Sequence, residues 1–467
     1  MSARFLLLLA AVLFLLWPAL LNGGPLIFFD SASYLDQGRQ AVEEALRLVS
    51  GRLSPGAAGE GASAAAGEVA GSANIVRSVV YSVFSHVASA TPLREWGIVL
   101  IHSALIVTLL AMLAGRALLE AARRADIALA VLACAALTSL PWFVSYLMPD
   151  ILAAVVILCG MLVAAGPERL NLWGKLFVFG AASFAMLSHY GHIPLGFGVG
   201  ATALGLLLVQ RRLSVAAVLI AALPVLVALG GNAAVNRVAF QEAGVGVATK
   251  RLPVLLARSL ADGPARWHLE ENCAVEGYAI CEVLGGNYTS NLGVILWSDE
   301  GLGGASPAQM DRIRAEEATI LRRAFLEYPA EQTWSLAGNT VSQVWTFGMD
   351  DFSWSRLAWL PDGTVDTGPL DPDRSRAGLE AVGWSHLAAM VAAAGLILLY
   401  AARDRLGVGA REREMLLVAV AGLAINAAIF GGLSVPVDRY QGRVVWIIPA
   451  LAALFWLNRR KASRVAL

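Results

Sequence analysis

The chain has 467 residues, of which 57% are hydrophobic and only 15% charged, and its mean hydropathy is +0.64. Such values exclude an ordinary soluble domain and point to an integral membrane protein. Its 35 basic and 35 acidic residues cancel, so bulk charge offers nothing to nucleic acid and the information lies in where the charges fall.

Crossing hydrocarbon takes roughly 20 apolar residues, and on that measure the chain reads as a polytopic α-helical membrane protein of about ten transmembrane helices. They are expected near 4–21, 97–115, 126–146, 150–166, 175–190, 193–210, 214–231, 384–402, 415–433 and 443–458. Arg116, Arg123, Arg124, Arg169, Lys175, Arg211, Arg212, Arg403, Arg405, Arg411, Arg413 and the tail "NRRKASR" all fall on one face of this array. The positive-inside rule makes that face cytoplasmic, with both termini inside. A cleaved signal peptide is the alternative for the first helix, but its apolar core is long for a signal and "NGGPLIF" is a poor cleavage site.

The first outer segment, 22–95, opens with "PLIFFDSASYLDQG". In "YLDQGRQAVEEALRLVSGRL", Leu35, Val42, Leu46 and Val49 share one side at helical spacing, the pattern of an amphipathic helix lying on a membrane. The Gly/Ala/Ser-rich run at 54–74 reads as a loop. A second amphipathic piece, "IVRSVVYSVFSHVAS", leads to the second span.

Three blocks follow: an N-terminal membrane domain at 1–231, a mostly helical outer domain at 232–383, and C-terminal membrane helices with a cytoplasmic tail at 384–467. The outer domain thus precedes the last three helices. Within it, "SPAQMDRIRAEEATILRRAFLEYP" predicts a helix capped by Ser306 with Pro307 in its first turn. Its tryptophans, Trp267, Trp297, Trp334, Trp345 and Trp354, are able to stack on sugars, although burial is the expected explanation for most of them. Cys273 and Cys281 in "CAVEGYAIC" suit a disulfide on an oxidising side of the membrane, the alternative being two free thiols; Cys134 and Cys159 fall in helices as small apolar residues. No P-loop, dinucleotide glycine motif, HExxH or GxSxG is present.

Four polar groups remain at helix ends on the outer face. Asp30 follows the first helix; Asp150 stands in "SYLMPDILAAVVIL"; His189, Tyr190 and His192 lie in "SHYGHIP"; and Asp438, Arg439, Tyr440 and Arg443 lie in "PVDRYQGRVVW". Each has a plain structural alternative: a helix cap for Asp30, a macrodipole partner for Asp150, carbonyl-bonded histidines, flanking charges for the arginines. Two carboxylates at the membrane plane beside histidines and arginines nevertheless make a site hypothesis. The chemistry it suits is substitution at a lipid-linked phosphate, with a carboxylate taking the acceptor proton and guanidinium groups holding the phosphate.

On these residues the chain resembles the GT-C membrane glycosyltransferases, the group that includes protein O-mannosyltransferases, lipid A aminoarabinose transferases and rhizobial lipopolysaccharide galacturonosyltransferases. "FFDSASYL" is similar to that family's first outer loop, which makes Asp30 the implied catalytic base, with Tyr34 four residues on. "LMPDILAAVV" resembles its acidic opening of the fourth helix, implying that Asp150 orients the acceptor or a metal. "DRYQGRVVWIIPAL" is similar to a late "RY" segment near the lipid phosphate, implying donor-phosphate contacts from Arg439, Tyr440 and Arg443, with His189 and His192 as further contacts. The likeness extends over roughly 1–231 and 384–458; the single aspartate of the first loop and "SHYGHIP" depart from the usual pattern.

The resemblance implies a polyprenyl-phosphate-linked sugar as donor, a lipid, glycan or protein as acceptor, membrane lipids as surroundings, and a divalent metal ion as the one cofactor left open. The implied location is the periplasmic face of a bacterial inner membrane. A transporter or flippase is the alternative; it favours charges near the bilayer midplane and paired broken helices in matching halves. A non-catalytic scaffold for envelope polysaccharide assembly is another, in which Asp30 and Asp150 are dispensable.

Overall fold

The computed structural model describes residues 3–28, 30–49, 77–118, 134, 136–240, 251–355, 357–359, 365–366, 376, 378–402 and 410–465. The predicted loop at 54–74 and the first part of the span expected at 126–146 lie outside them. Among the described residues the regular structure is helical apart from a two-residue antiparallel ladder, in which β1 (Ala358–Trp359) pairs with β2 (Val365–Asp366), and one isolated bridge.

The first expected span is two helices, α1 (Ala3–Phe14) and α2 (Trp17–Asn22). Pro18 has no N–H to give the carbonyl four residues back, so the ladder stops at Phe14. After a turn come the amphipathic helices α3 (Ser31–Val49) and α4 (Val79–Ser89), packed together. The buried side of α3 is Ser31, Tyr34, Leu35 and Gly38, whereas Leu46 is 62% exposed. Next is α5 (Trp96–Met112), which ends in a π turn at Leu113–Leu118.

A six-residue helix α6 (Leu140–Ser145) and a 3-10 turn at Pro149–Ile151 lead into α7 (Leu152–Ala165), every residue of which is buried. A helix that is apolar all round belongs inside a bundle. Around it pack α5, α8 (Leu172–Leu187) and α9 (His192–Val209). Asn171 starts α8 by accepting the Gly174 N–H at 2.9 Å. Then α10 (Val215–Phe240) runs past the boundary expected at 231.

The inserted domain has a core of its own, separate from the membrane core and built around Leu256, Leu260, Leu269, Ile280, Met310 and Ile313. Its helices are α11 (Val254–Asp262), α12 (Pro264–Glu276), α13 (Ala279–Leu284), α14 (Leu292–Trp297), α15 (Pro307–Glu327) and α16 (Pro329–Trp345). Ser306 and Gln309 cap α15 reciprocally. Cys273 and Cys281 are joined by a disulfide, with their Cα atoms 5.9 Å apart. Burial does not explain most of the tryptophans: Trp297, Trp334 and Trp345 are 54, 81 and 75% exposed. Trp267 meets Tyr328 edge-on at 5.1 Å, and Trp354 lies 4.8 Å from Trp142.

The chain returns through α17 (Leu379–Ala402) and α18 (Ala410–Asn426), the latter ending in a π turn at Ala427–Gly432. Then α19 (Asp438–Val445) and α20 (Ile447–Val465) follow. Small residues let the central helices approach closely: a Cβ on Gly160 of α7 would lie 2.2 Å from Val199 Cγ1 of α9.

Among the described residues six helical segments are long and apolar enough to cross a membrane: 96–115, 192–209, 215–235, 379–400, 411–432 and 438–457. This is a multi-pass helical membrane protein. Of the other four spans expected, the first is divided at Pro18, α7 and α8 are apolar but shorter than 18 residues, and the first part of the one at 126–146 lies outside the described residues.

Candidate functional site

The stretches carrying Asp30 and Asp150 are fastened to each other before either reaches a charged partner. Leu26 N donates to Ser145 O and Leu147 N to Leu26 O, both at 2.9 Å, an isolated parallel bridge across more than a hundred residues of sequence. At Asp30 the chain turns sharply, with Ser31 N donating to Phe28 O at 2.8 Å and Phe28 N to Ser31 Oγ at 2.9 Å. Ser31 makes the local turn, and the Asp30 carboxylate points instead to the side chains of Arg77 and Arg439.

Arg77 enters because α3 and α4 cross closely. A Cβ on Gly38 would lie 2.0 Å from Ser82 O and 2.6 Å from Ser82 C, which are backbone atoms with little room to yield. The crossing brings the start of α4 to the start of α3, and Ser78 Oγ, donating to Leu187 O at 2.5 Å, ties it to the end of α8. Arg77 donates to Asp30 Oδ1 and lies 5.7 Å from the Tyr34 ring. Tyr34 packs edge-on against Tyr81 at 5.0 Å. Burial, then the charge of Asp30, raises its hydroxyl pKa above the ordinary value, so it stays protonated. Gly38→Val is expected to lower stability by about 1–3 kcal/mol through overpacking. Thermal unfolding checks this, and a wild-type midpoint would mean that the helix pair is not held by this approach.

From the other side come Arg439 and Arg443, one turn apart on α19. Arg439 bridges both carboxylates, its Nη1 3.9 Å from Asp30 Oδ2 and its Nε 3.7 Å from Asp150 Oδ1. Arg443 Nη1 donates to Asp150 Oδ1 at 3.1 Å and Nη2 to Asn426 Oδ1 at 3.1 Å. Asn426 in turn donates to Tyr440 O at 2.7 Å. The guanidinium of Arg443 lies 3.8 Å from the centre of the Phe430 ring, and that of Arg439 lies 4.4 Å from the centre of the Phe28 ring. Tyr440 lies 5.2 Å from both guanidinium groups.

The start of α19 is itself held by the end of α16 and the segment after it. Gly348 N donates to Asp438 Oδ1 at 2.6 Å, and Arg439 N donates to Asp351 Oδ2 at 2.8 Å. The Gln343 amide both donates to Val437 O, at 2.9 Å, and accepts from Val437 N, at 3.0 Å.

Exposure is graded through the cluster: the side chains of Asp30 and Arg77 are each 19% exposed, Arg439 15%, Asp150 6% and Arg443 1%. Each carboxylate holds two arginines, and Asp30 is the one a ligand can meet. Three guanidinium groups face two carboxylates, and Arg77 Nε, Arg439 Nη1 and Arg443 Nε are buried without a hydrogen-bond acceptor. An anion is what such donors lack.

The histidines stand beside this cluster rather than in it. Gly191 N donates to His189 Nδ1 at 3.1 Å, and the His189 ring lies 4.8 Å from His192 and 5.6 Å from Phe430. Burial and then the positive charge of Arg443 lower the His189 pKa to about 4, which leaves it neutral at pH 7. His192 is fully buried with its Nδ1 2.9 Å from Ala185 O. Among the described residues no three His, Cys, Asp or Glu side chains converge to hold a metal ion. With Asp30 and Asp150 both engaged by guanidinium groups, the cluster does not fit a divalent cation.

Sequence reasoning singled out Asp30, Tyr34, Asp150, His189, His192, Arg439, Tyr440 and Arg443; the structure brings Asp30, Tyr34, Asp150, Arg439, Tyr440 and Arg443 together and sets His189 and His192 beside them. It missed Arg77, Asn426, Phe28 and Phe430. Only Arg77 left a trace in the sequence, as a positive charge expected on the outer face against the usual bias. No protein-family model, curated protein or solved structure matches the chain.

Proposed function

We propose that the protein is a membrane glycosyltransferase that moves a sugar from a polyprenyl-phosphate donor to a hydroxyl of a lipid, glycan or protein acceptor. The observation that carries this reading is the excess of buried, unsatisfied guanidinium N–H groups beside a partly exposed carboxylate at one end of the membrane bundle. Arginine N–H groups suit a phosphate, and a carboxylate suits the proton of an attacking hydroxyl.

In this reaction the acceptor oxygen attacks the anomeric carbon while the bond from that carbon to the phosphate oxygen breaks. The phosphate leaves with the bonding electrons, and the acceptor proton passes to Asp30. Arg77 and Arg439, which already reach the Asp30 carboxylate, take up the charge developing on the phosphate. Asp150 and Arg443 position Arg439, and the rings of Tyr34 and Tyr440 lie beside the guanidinium groups. A lipid donor also suits an apolar groove of about 730 Å³ between α1 and α5, lined among others by Leu8, Val12, Leu100, Ile101 and Met112.

The proposal puts this site at the periplasmic face of a bacterial inner membrane, with both termini in the cytoplasm and a GT-C-like arrangement of helices; the charge bias of the loops supports the orientation. The deciding experiment incubates native membranes containing the protein with a panel of radiolabelled polyprenyl-phosphate sugars. Consumption of one donor, dependent on the protein, is expected. If none is consumed with any acceptor fraction, the transferase reading falls and a transporter takes its place.

A further inference from the structure

Helix α16 carries a single charged residue, Glu331, in its seventeen positions, although α15 immediately before it carries eight in twenty-one. One face of α16 is packed. A Cβ on Gly431 would meet Gln343 Cβ at 2.2 Å, and one on Gly432 would meet Thr340 Oγ1 at 2.6 Å and Leu336 Cδ1 at 2.8 Å. A Cβ projects sideways from its helix, so α16 flanks the last turn of the spanning segment 411–432 rather than capping its tip.

The opposite face has no such partner. Trp334, Val341 and Trp345 recur at helical spacing, with Ala337 and Gly338 between them, and are 81, 59 and 75% exposed. At the preceding corner Phe325 and Leu326 are 47 and 65% exposed, and beside the π turn Leu433 is 40% exposed. An uncharged stripe with an indole at each end is unsuited to water and offers nothing to a charged partner. It continues outward from the end of a membrane-crossing helix, the level at which tryptophan is favoured in a bilayer.

We infer that α16 lies in the interfacial layer of the same membrane, with its Trp334–Val341–Trp345 face against lipid. The occupant of this surface is the bilayer. Through Gln343, which grips the backbone of Val437 two residues before Arg439, the lipid-bound helix fixes where α19 begins. The inference does not depend on the glycosyl-transfer reading.

The test places a nitroxide label on Val341→Cys, and separately on Trp345→Cys, in a Cys134→Ala/Cys159→Ala background reconstituted into phosphatidylcholine vesicles. The exposed, polar Glu300→Cys serves as the aqueous reference. Collisions with oxygen, which concentrates in lipid, are compared with collisions with a water-soluble nickel chelate. Oxygen is expected to dominate at 341 and 345, reversing the ratio found at 300. A ratio at both positions equal to that of Glu300→Cys overturns the inference. So does protection from both reagents accompanied by spin–spin broadening, which would assign the face to a second copy of the chain.

Discussion

Asp30→Asn is expected to reduce sugar transfer by about 10² or more, the size of losing a general base, with little change in the amount of folded protein. The side chain is partly exposed and its partners are Arg77 and Arg439; an asparagine keeps the shape and one acceptor oxygen for them. What it removes is the ability to take a proton from an attacking hydroxyl. The measurement is the initial rate of label transfer from the donor identified in the membrane assay, with binding of the same donor followed in parallel. A fall in rate with near-normal donor binding fits the base. A fall in binding alone would make Asp30 a holder of Arg77 and Arg439, and an unchanged rate would leave it as the residue that merely opens α3.

The parts of this site visible in the sequence are those that depend on local rules. Asp30, Asp150, His189 and Arg439 stand at ends of apolar runs, and the arginine bias of the loops places those ends at one surface. Their pairing was not visible. It rests on the Leu26 bridge to Ser145 and Leu147 and on the close crossing at Gly38. A backbone pairing over such a separation leaves no periodicity to read. The same difficulty hid Arg77, which is 47 positions from its carboxylate.

The tryptophans of the inserted domain were misjudged for a related reason. Composition cannot tell an indole packed in a core from one facing lipid, and α16 shows its lipid-like face only once its other side is seen against Gly431 and Gly432. The break inside the first span, which the helices at 3–14 and 17–22 otherwise cover, went unread although its cause, Pro18, is in plain view, because hydropathy averages over a break in hydrogen bonding.

The largest effect on stability is expected from Arg443→Met. Arg443 is fully buried, and its Nη1 is the nearest described cation contact of the Asp150 carboxylate, 3.1 Å against 3.7 Å for Arg439 Nε. Removing it leaves the buried Asp150 carboxylate with only the longer contact to Arg439 and leaves the Asn426 oxygen without the donor Arg443 supplies, at a cost of about 3–5 kcal/mol. Asp150→Asn alone is destabilising from the other direction, since it leaves Arg443 buried without its counter-charge. The double variant Asp150→Asn/Arg443→Met removes both charges, so it is expected to be more stable than the Arg443→Met single variant and clearly non-additive. Thermal unfolding of the four proteins in one detergent measures this. Activity separates the two roles of the pair: with Arg439 deprived of its anchor on Asp150, transfer is expected to stay lost in the double variant even where stability returns. Additive losses in stability would mean that Asp150 and Arg443 are not a coupled buried pair. Recovered transfer in the double variant would mean that Arg439 keeps its place through Asp30 and the Asp351 carboxylate at its backbone, leaving Asp150 a structural residue of the turn before α7 alone.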